Sequence, residues 1–221
     1  VSEHHLDIIS LGWTPQAYRP VWQAMQRLTR ERGADTPHQL WLLNHTPVFT
    51  QGRNGRAEHI LAPGDIEVVA IDRGGQVTYH GPGQLMVYVL IDLKRLGIGI
   101  RSLVSRLEQA MVDTLAGYDI AAYAKRDAPG VYVDGDKIGS IGLRVSRGCS
   151  YHGLGLNVDM DLSPFSRIDP CGYHGLAMTQ IAALGGPSDL ATVAADLSHR
   201  LADQLGLTPR FYEDADMRLI G

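Results

Sequence analysis

The stretch from Val131 to Val158 constrains this chain more than any other. Val131-Tyr132-Val133 runs into Asp134-Gly135, and an alternating segment follows over Lys137–Val145. Asp-Gly between β-rich segments marks a two-residue hairpin, because both turn positions need positive φ and these residues adopt it readily. Ser146-Arg147-Gly148 then reverses the chain again, and Cys149–Val158 returns. Lys137 therefore opens a strand just past a tight turn, a rigid perch for a reactive side chain.

The flanks read as mixed α and β. Leu6–Ser10, Gln39–Asn44 and Ile66–Ile71 are expected as strands, the last two buried, and Leu85–Leu93 as a β-rich run ending in a charged turn. Thr14-Pro15 resembles an N-cap followed by proline at the first helical position, opening a helix that ends near Gly33. Pro20 conflicts with that start and predicts a kink or a later beginning. Leu103, Leu107, Ala110, Met111 and Leu115 recur at helical spacing within Ser102–Ala116. Leu190, Val193, Ala194, Leu197, Leu201 and Leu205 repeat the pattern near the C-terminal end. Both stripes are core faces. The 221 residues, without repeat or linker, suit one domain over residues 1–221.

A net charge of −4 argues against a nucleic-acid binder. Two cysteines do not make a disulfide framework and favour a reducing, cytoplasmic setting. The apolar stretches fall far short of a bilayer span, so no membrane association is expected. No metal is expected either: none of the nine histidines stands at zinc-ligand spacing with suitable cysteines.

Two further segments carry the chemistry. Arg73-Gly74-Gly75-Gln76-Val77-Thr78-Tyr79-His80 is dense enough in glycine for close backbone approach to a ligand, yet matches neither the dinucleotide nor the phosphate-loop pattern. Cys171 stands between Pro170 and Gly172, in a turn and not in a packed strand. If Leu176–Leu184 forms a helix, the thiol near its N-terminus gains thiolate character. Cys149 reads as structural. A nucleophilic cysteine needs a base, and His80, His152, His174 or a lysine could serve; spacing does not choose among them.

In order, the chain carries Gln51-Gly52-Arg53, Arg73 through Leu85, Lys137-Ile138-Gly139-Ser140-Ile141-Gly142-Leu143-Arg144, Tyr151-His152-Gly153-Leu154-Gly155-Leu156-Asn157-Val158 and Pro170-Cys171-Gly172. With these blocks over residues 45 to 185 it closely resembles the lipoyl(octanoyl) transferases. The resemblance implies an α+β fold, a mixed β-sheet with packed helices like the catalytic domain of biotin and lipoate protein ligases. It implies octanoyl-acyl carrier protein as donor, with lipoyl domains of 2-oxoacid dehydrogenase complexes and the glycine cleavage H protein as acceptors, and no cofactor. It assigns Cys171 as the acyl-thioester residue and Lys137 as its acid/base partner. It assigns the acyl-substrate pocket to Arg73, Gly74, Gly75, Gln76, Val77, Thr78, Tyr79, His80, Ser140, Ile141, Gly142, Gly153, Leu154 and Gly155.

Val77, Leu85, Ile141, Leu143 and Leu154 are expected as pocket walls, with His80 and His152 shaping the cavity. A basic rim at Arg144, Arg147 or Arg167 is expected to attract an acidic donor. The rival readings are an ATP-dependent lipoate or biotin ligase on the same fold, a non-catalytic acyl-binding module, and a thioester hydrolase. ATP dependence, thiol reactivity and release of free octanoate separate them.

Overall fold

The computed structural model describes residues 5–170 and 175–213. In chain order the elements are β1 (His5–Ser10), α1 (Tyr18–Glu31), β2 (His38–Leu43), β3 (Val48–Gln51), β4 (Glu67–Ala70), β5 (Val77–His80), β6 (Gln84–Leu90) and α2 (Leu93–Leu96). They continue with α3 (Ile100–Ala116), β7 (Tyr123–Ala124), β8 (Gly130–Val133), β9 (Asp136–Ser146), β10 (Cys149–Asn157), α4 (Leu190–Leu205) and β11 (Thr208–Tyr212). Eight strands form one sheet in the order β11-β1-β2-β6-β10-β9-β8-β7, and β4-β3-β5 form a second. β1 pairs in parallel with β2 and β11, while each successive pair along β2-β6-β10-β9-β8-β7 is antiparallel. This is the mixed-sheet α+β architecture expected from the sequence.

The two helical stripes pack as anticipated. Leu103, Leu107 and Met111 of α3 and Val193, Leu197 and Leu201 of α4 meet Leu40, Leu42, Val87 and Leu156 on one face of the large sheet. Val21 and Met25 of α1 meet Trp41, Leu43, Met86 and Tyr88 on the other. Strands β2 and β6 are thus covered on both faces, which is why their sequences run apolar without alternation. Both hairpin turns have left-handed backbone at both turn residues: Asp134 and Gly135 (φ 50° and 98°), then Arg147 and Gly148 (φ 55° and 86°). Such turns match the right-handed twist of the strands they join.

The first helix takes the later start that Pro20 predicts, and two expectations are corrected. The first helix begins at Tyr18, because residue 16 is held in an extended bridge: Gln16 N–H donates to Asn44 and its carbonyl accepts from Thr46. Pro20 therefore lies in the first turn, where the missing N–H costs no helical bond. Strand β4 forms where expected, but at the edge of the small sheet, with Glu67 and Ala70 exposed. Leu176–Leu184 is not a helix; only Ala182–Leu184 makes a 3-10 turn. The rest of the segment is extended and borrows its partners from the sheet. Lys137 N–H donates to the Ala177 carbonyl (2.9 Å), Thr179 N–H to the Lys137 carbonyl (3.0 Å), and Ile181 N–H to the Asn157 carbonyl (3.0 Å). Without that helix, no helix N-terminus at residue 176 favours a thiolate at Cys171.

Candidate active site

Lys137 is the second residue of β9 and is 2% exposed. Its backbone is gripped on both sides, by Tyr132 of β8 and by the 177–179 segment. Its Nζ donates to the Pro129 carbonyl at 3.0 Å and lies 5.5 Å from the centre of the Tyr132 ring. The aliphatic stem crosses Gly130, whose φ of +130° is a region that side chains disfavour. A methyl group there would stand 2.7 Å from Lys137 Cε and 2.4 Å from the Gly139 carbonyl oxygen. Gly130→Ala is accordingly expected to cost about 1–3 kcal/mol of stability and to displace the lysine. Thermal melting and transfer rate, measured on the same preparation, check both effects. Cys171 and His174 lie outside the described residues; Pro170 ends one described stretch and Gly175 begins the next.

Two cavities meet near this lysine. The first is walled by Arg73, Gly75, Gln76, Val77, Thr78, His80, Ser140, Ile141, Gly142, Gly153, Leu154 and Gly155, together with Tyr18, Met86, Tyr88 and His152. The second, more open, includes Lys137, Gly74, Leu143, Asn54 and Pro129. Gly75, Gln76, Ile141 and Gly142 belong to both. Tyr79 lines neither; strand alternation turns it into a separate core with Phe49 and Phe165. Leu85 is buried in the main core. Tyr18, Met86 and Tyr88 gave no sign of a site in the sequence, because each sits in a run or stripe that reads as core.

The glycine loop is held from two directions. Arg53 N–H donates to the Arg73 carbonyl, Asn54 N–H to Gly75 and Gly52 N–H to Gln76, while Gly74 N–H donates to Leu143 of β9. Gly52 has to be glycine, since a Cβ there would stand 2.4 Å from the Gly75 oxygen. The Arg73 guanidinium folds back onto Thr50 and the Gly74 carbonyl.

From Arg73 a directed chain of hydrogen bonds runs toward Lys137. Arg73 Nη2 donates to Thr50 Oγ1 (2.9 Å), and Thr50 bonds His80 Nε2 (3.1 Å). His80 Nδ1 bonds Gln84 Oε1 (2.8 Å), an oxygen that only accepts, so Nδ1 carries the proton and Nε2 accepts from Thr50. Gln84 Nε2 donates to Asn157 Oδ1 (2.9 Å), Asn157 Nδ2 to the Thr179 carbonyl (3.0 Å), and Thr179 N–H to the Lys137 carbonyl. Burial pushes the His80 imidazole down to about 3, so it stays neutral in this chain.

Asp72 is a second hub. It accepts from Trp22 and Gln26 of α1 and from Tyr151 and His152 of β10. Burial would raise its carboxyl, but the hydrogen bonds from His152 and Tyr151 outweigh that and hold it well below the usual carboxylate range. His152 has φ of +58° within the strand, and burial lowers its imidazole even though Asp72 lies 2.8 Å away. His45 is buried too, pushed down to about 4, and bonds Tyr88 Oη at 2.5 Å. Cys149 is a buried thiol that burial pushes up, as befits a structural residue.

None of Arg144, Arg147 and Arg167 lines either cavity. Arg147 donates to the Arg30 carbonyl, and Arg167 lies 3.9 Å from Asp65. The cations beside the lysine cavity are Arg101, Lys125 and Arg126, in a cleft that shares Ile100, Val104, Asp127 and Pro129 with it. Among the described residues no helix is long and apolar enough to cross a membrane.

The fold is that of solved lipoate protein ligases. The bipartite lipoate protein ligase of Thermoplasma acidophilum superposes with a TM-score of 0.78 over 98% of this chain and 90% of that one, at 16% identity. Residues 17–202 match the lipoyl protein ligase A/B catalytic domain. An octanoyltransferase of Stutzerimonas stutzeri is 62% identical over 203 residues, 92% of each chain. One from Pseudomonas fluorescens is 62% identical over 189 residues, 86% of this chain and 88% of that one. The chain belongs to the lipoyl protein ligase A/B catalytic-domain family, among its octanoyltransferases.

Proposed function

We propose that this protein takes an octanoyl group from octanoyl-acyl carrier protein, holds it as a thioester on Cys171, and delivers it to a lysine of a lipoyl domain. Octanoyl transfer in protein lipoylation is the activity of the family branch to which the chain belongs. The observation that carries the mechanism is the placement of Lys137, buried and rigidly held in the wall of the open cavity that adjoins the apolar one. Its backbone is bonded to Ala177, six residues past Cys171, and six residues span at most about 20 Å.

In the first step Cys171 loses its proton to Lys137, and the thiolate attacks the donor thioester carbon. The carbon–sulfur bond to the carrier breaks, and Lys137 returns the proton to the departing thiol. In the second step the acceptor amine attacks the enzyme thioester. The bond to Cys171 breaks, and Lys137 carries the amine proton to the cysteine sulfur. The tail lies in the first cavity, where burying its methylenes at about 0.8 kcal/mol each contributes roughly 5 kcal/mol. Thioester exchange is nearly balanced and amide formation is downhill, so no ATP is required.

Residues 1–221 act as one acyltransferase domain in the cytoplasm, and the acceptors are lipoyl domains of 2-oxoacid dehydrogenase complexes and the glycine cleavage H protein. The donor is an acidic carrier, and Arg101, Lys125 and Arg126 beside the lysine cavity suit its approach. Intact-protein mass after mixing with octanoyl-acyl carrier protein, without ATP, tests the route. One thioester-labile octanoyl adduct is expected, absent from Cys171→Ser and discharged by an added lipoyl domain. Acceptor modification that requires ATP and free octanoate would instead make the chain a ligase.

A further inference from the structure

We infer that the Gln76 side-chain carbonyl accepts a hydrogen bond from the attacking amine of the acceptor lysine during amide formation. Gln76 Oε1 is buried and has no hydrogen-bond partner among the described residues. The amides of Gln84 and Asn157, by contrast, both donate and accept. A buried carbonyl oxygen left unpaired carries a free-energy penalty that the arrival of an N–H removes, so it marks where a donor belongs.

The place is specific. Gln76 is one of four residues common to the apolar cavity and the cavity that holds Lys137. Its backbone is fixed, since its own carbonyl accepts from Gly52 N–H and the preceding Gly75 carbonyl accepts from Asn54. The loop that carries the side chain is therefore held on both sides of the junction.

The chemistry of the reaction names the donor. An octanoyl chain has no N–H, and neither has a thioester. The amine that attacks the carbonyl carbon does, and it must come to rest near Lys137 with its lone pair directed at that carbon. An acceptor for one of its hydrogens orients that lone pair, a gain realised as the new bond forms. The pantetheine arm of the donor also carries amide N–H groups, but they are separated from the reacting sulfur by two carbons, and they belong to the other half-reaction.

The inference rests on the acyl-enzyme route proposed above, and its test keeps the two apart. Octanoyl-loaded enzyme is isolated, and its discharge is timed with a lipoyl domain and, separately, with dithiothreitol, a thiol acceptor that has no N–H. Loading from octanoyl-acyl carrier protein is timed in parallel, and melting temperatures are compared. Gln76→Met, similar in size and without an acceptor oxygen, is expected to slow discharge to the lipoyl domain about tenfold. Discharge to dithiothreitol and loading, which use the same pocket, should slow by a factor at least about threefold smaller. Gln76→Glu, which keeps an acceptor, should restore most of the amine rate. These expectations correspond to the worth of one hydrogen bond in a transition state.

Slowing of loading alone in Gln76→Met would give the bond to the pantetheine arm and overturn the inference. Equal slowing toward amine and thiol, or no slowing at all, would also overturn it. Failure of the wild type to form any acyl-enzyme would count against the route itself and not against Gln76.

Discussion

Lys137→Met is expected to slow octanoyl transfer by about a thousandfold, within the range that a positioned proton carrier supplies. Methionine fits the channel that the lysine stem occupies across Gly130 and beside Tyr132, so the fold should survive. The Pro129 carbonyl loses its Nζ donor, which costs about 1 kcal/mol of stability. The informative feature is that both half-reactions slow, because the same amine moves a proton in each. Rapid-quench rates for loading and discharge, with melting temperature as a control, make the comparison. If both rates stay within a few-fold of wild type while the protein remains folded, Lys137 is a structural residue and another group carries the proton.

Acid should unfold this protein early. Burial holds the folded-state pKa of His45 at about 4 and of His80 at about 3, and lowers that of His152 as well. In the unfolded chain each titrates near 6.5. Below that value the unfolded state binds protons that the native state refuses, so stability is full above about pH 6.5 and falls as pH drops toward the folded values. Each such histidine contributes a slope of about 1.4 kcal/mol per pH unit, so His45 and His80 alone give about 3 kcal/mol per unit near pH 5. Asp72 acts in the same direction but lower: its folded pKa is depressed, so its contribution persists above about pH 4 and is lost only beneath it. Against a typical total of about 5–15 kcal/mol, the loss of about 4 kcal/mol that these two histidines impose by pH 5 is a large share. Denaturant melts from pH 5 to 8 read the slope directly. His80→Asn, which removes one titrating group, should flatten it. A flat wild-type profile would mean that these histidines are not held neutral.

Local signals made much of the fold legible. The two turns at Asp134-Gly135 and Arg147-Gly148 identify themselves through residue type, and the stripes of α3 and α4 through spacing. The glycine loop announced a ligand, and most of its residues do line a cavity. What stayed hidden depends on partners distant in the chain. Thr50 meets His80 across 30 positions, Gln84 meets Asn157 across 73, and Asp72 meets His152 across 80. Leu176–Leu184 misled for the same reason: its apolar content suited a helix, but Lys137 and Asn157 offered it backbone bonds instead. Arg144, Arg147 and Arg167 line neither cavity, and an arginine's place in the sequence does not say which cavity it overlooks.

The directed chain from Arg73 to Lys137 also bears on how such a protein can change over generations. Each member between the two ends hands one hydrogen forward and receives one from behind, so a change at any of these links strands the neighbour on each side. A histidine at position 80 presupposes an acceptor at 84, which in turn presupposes the amide at 157. These positions can drift only as a set or not at all, and their inheritance is joined although they lie far apart along the gene.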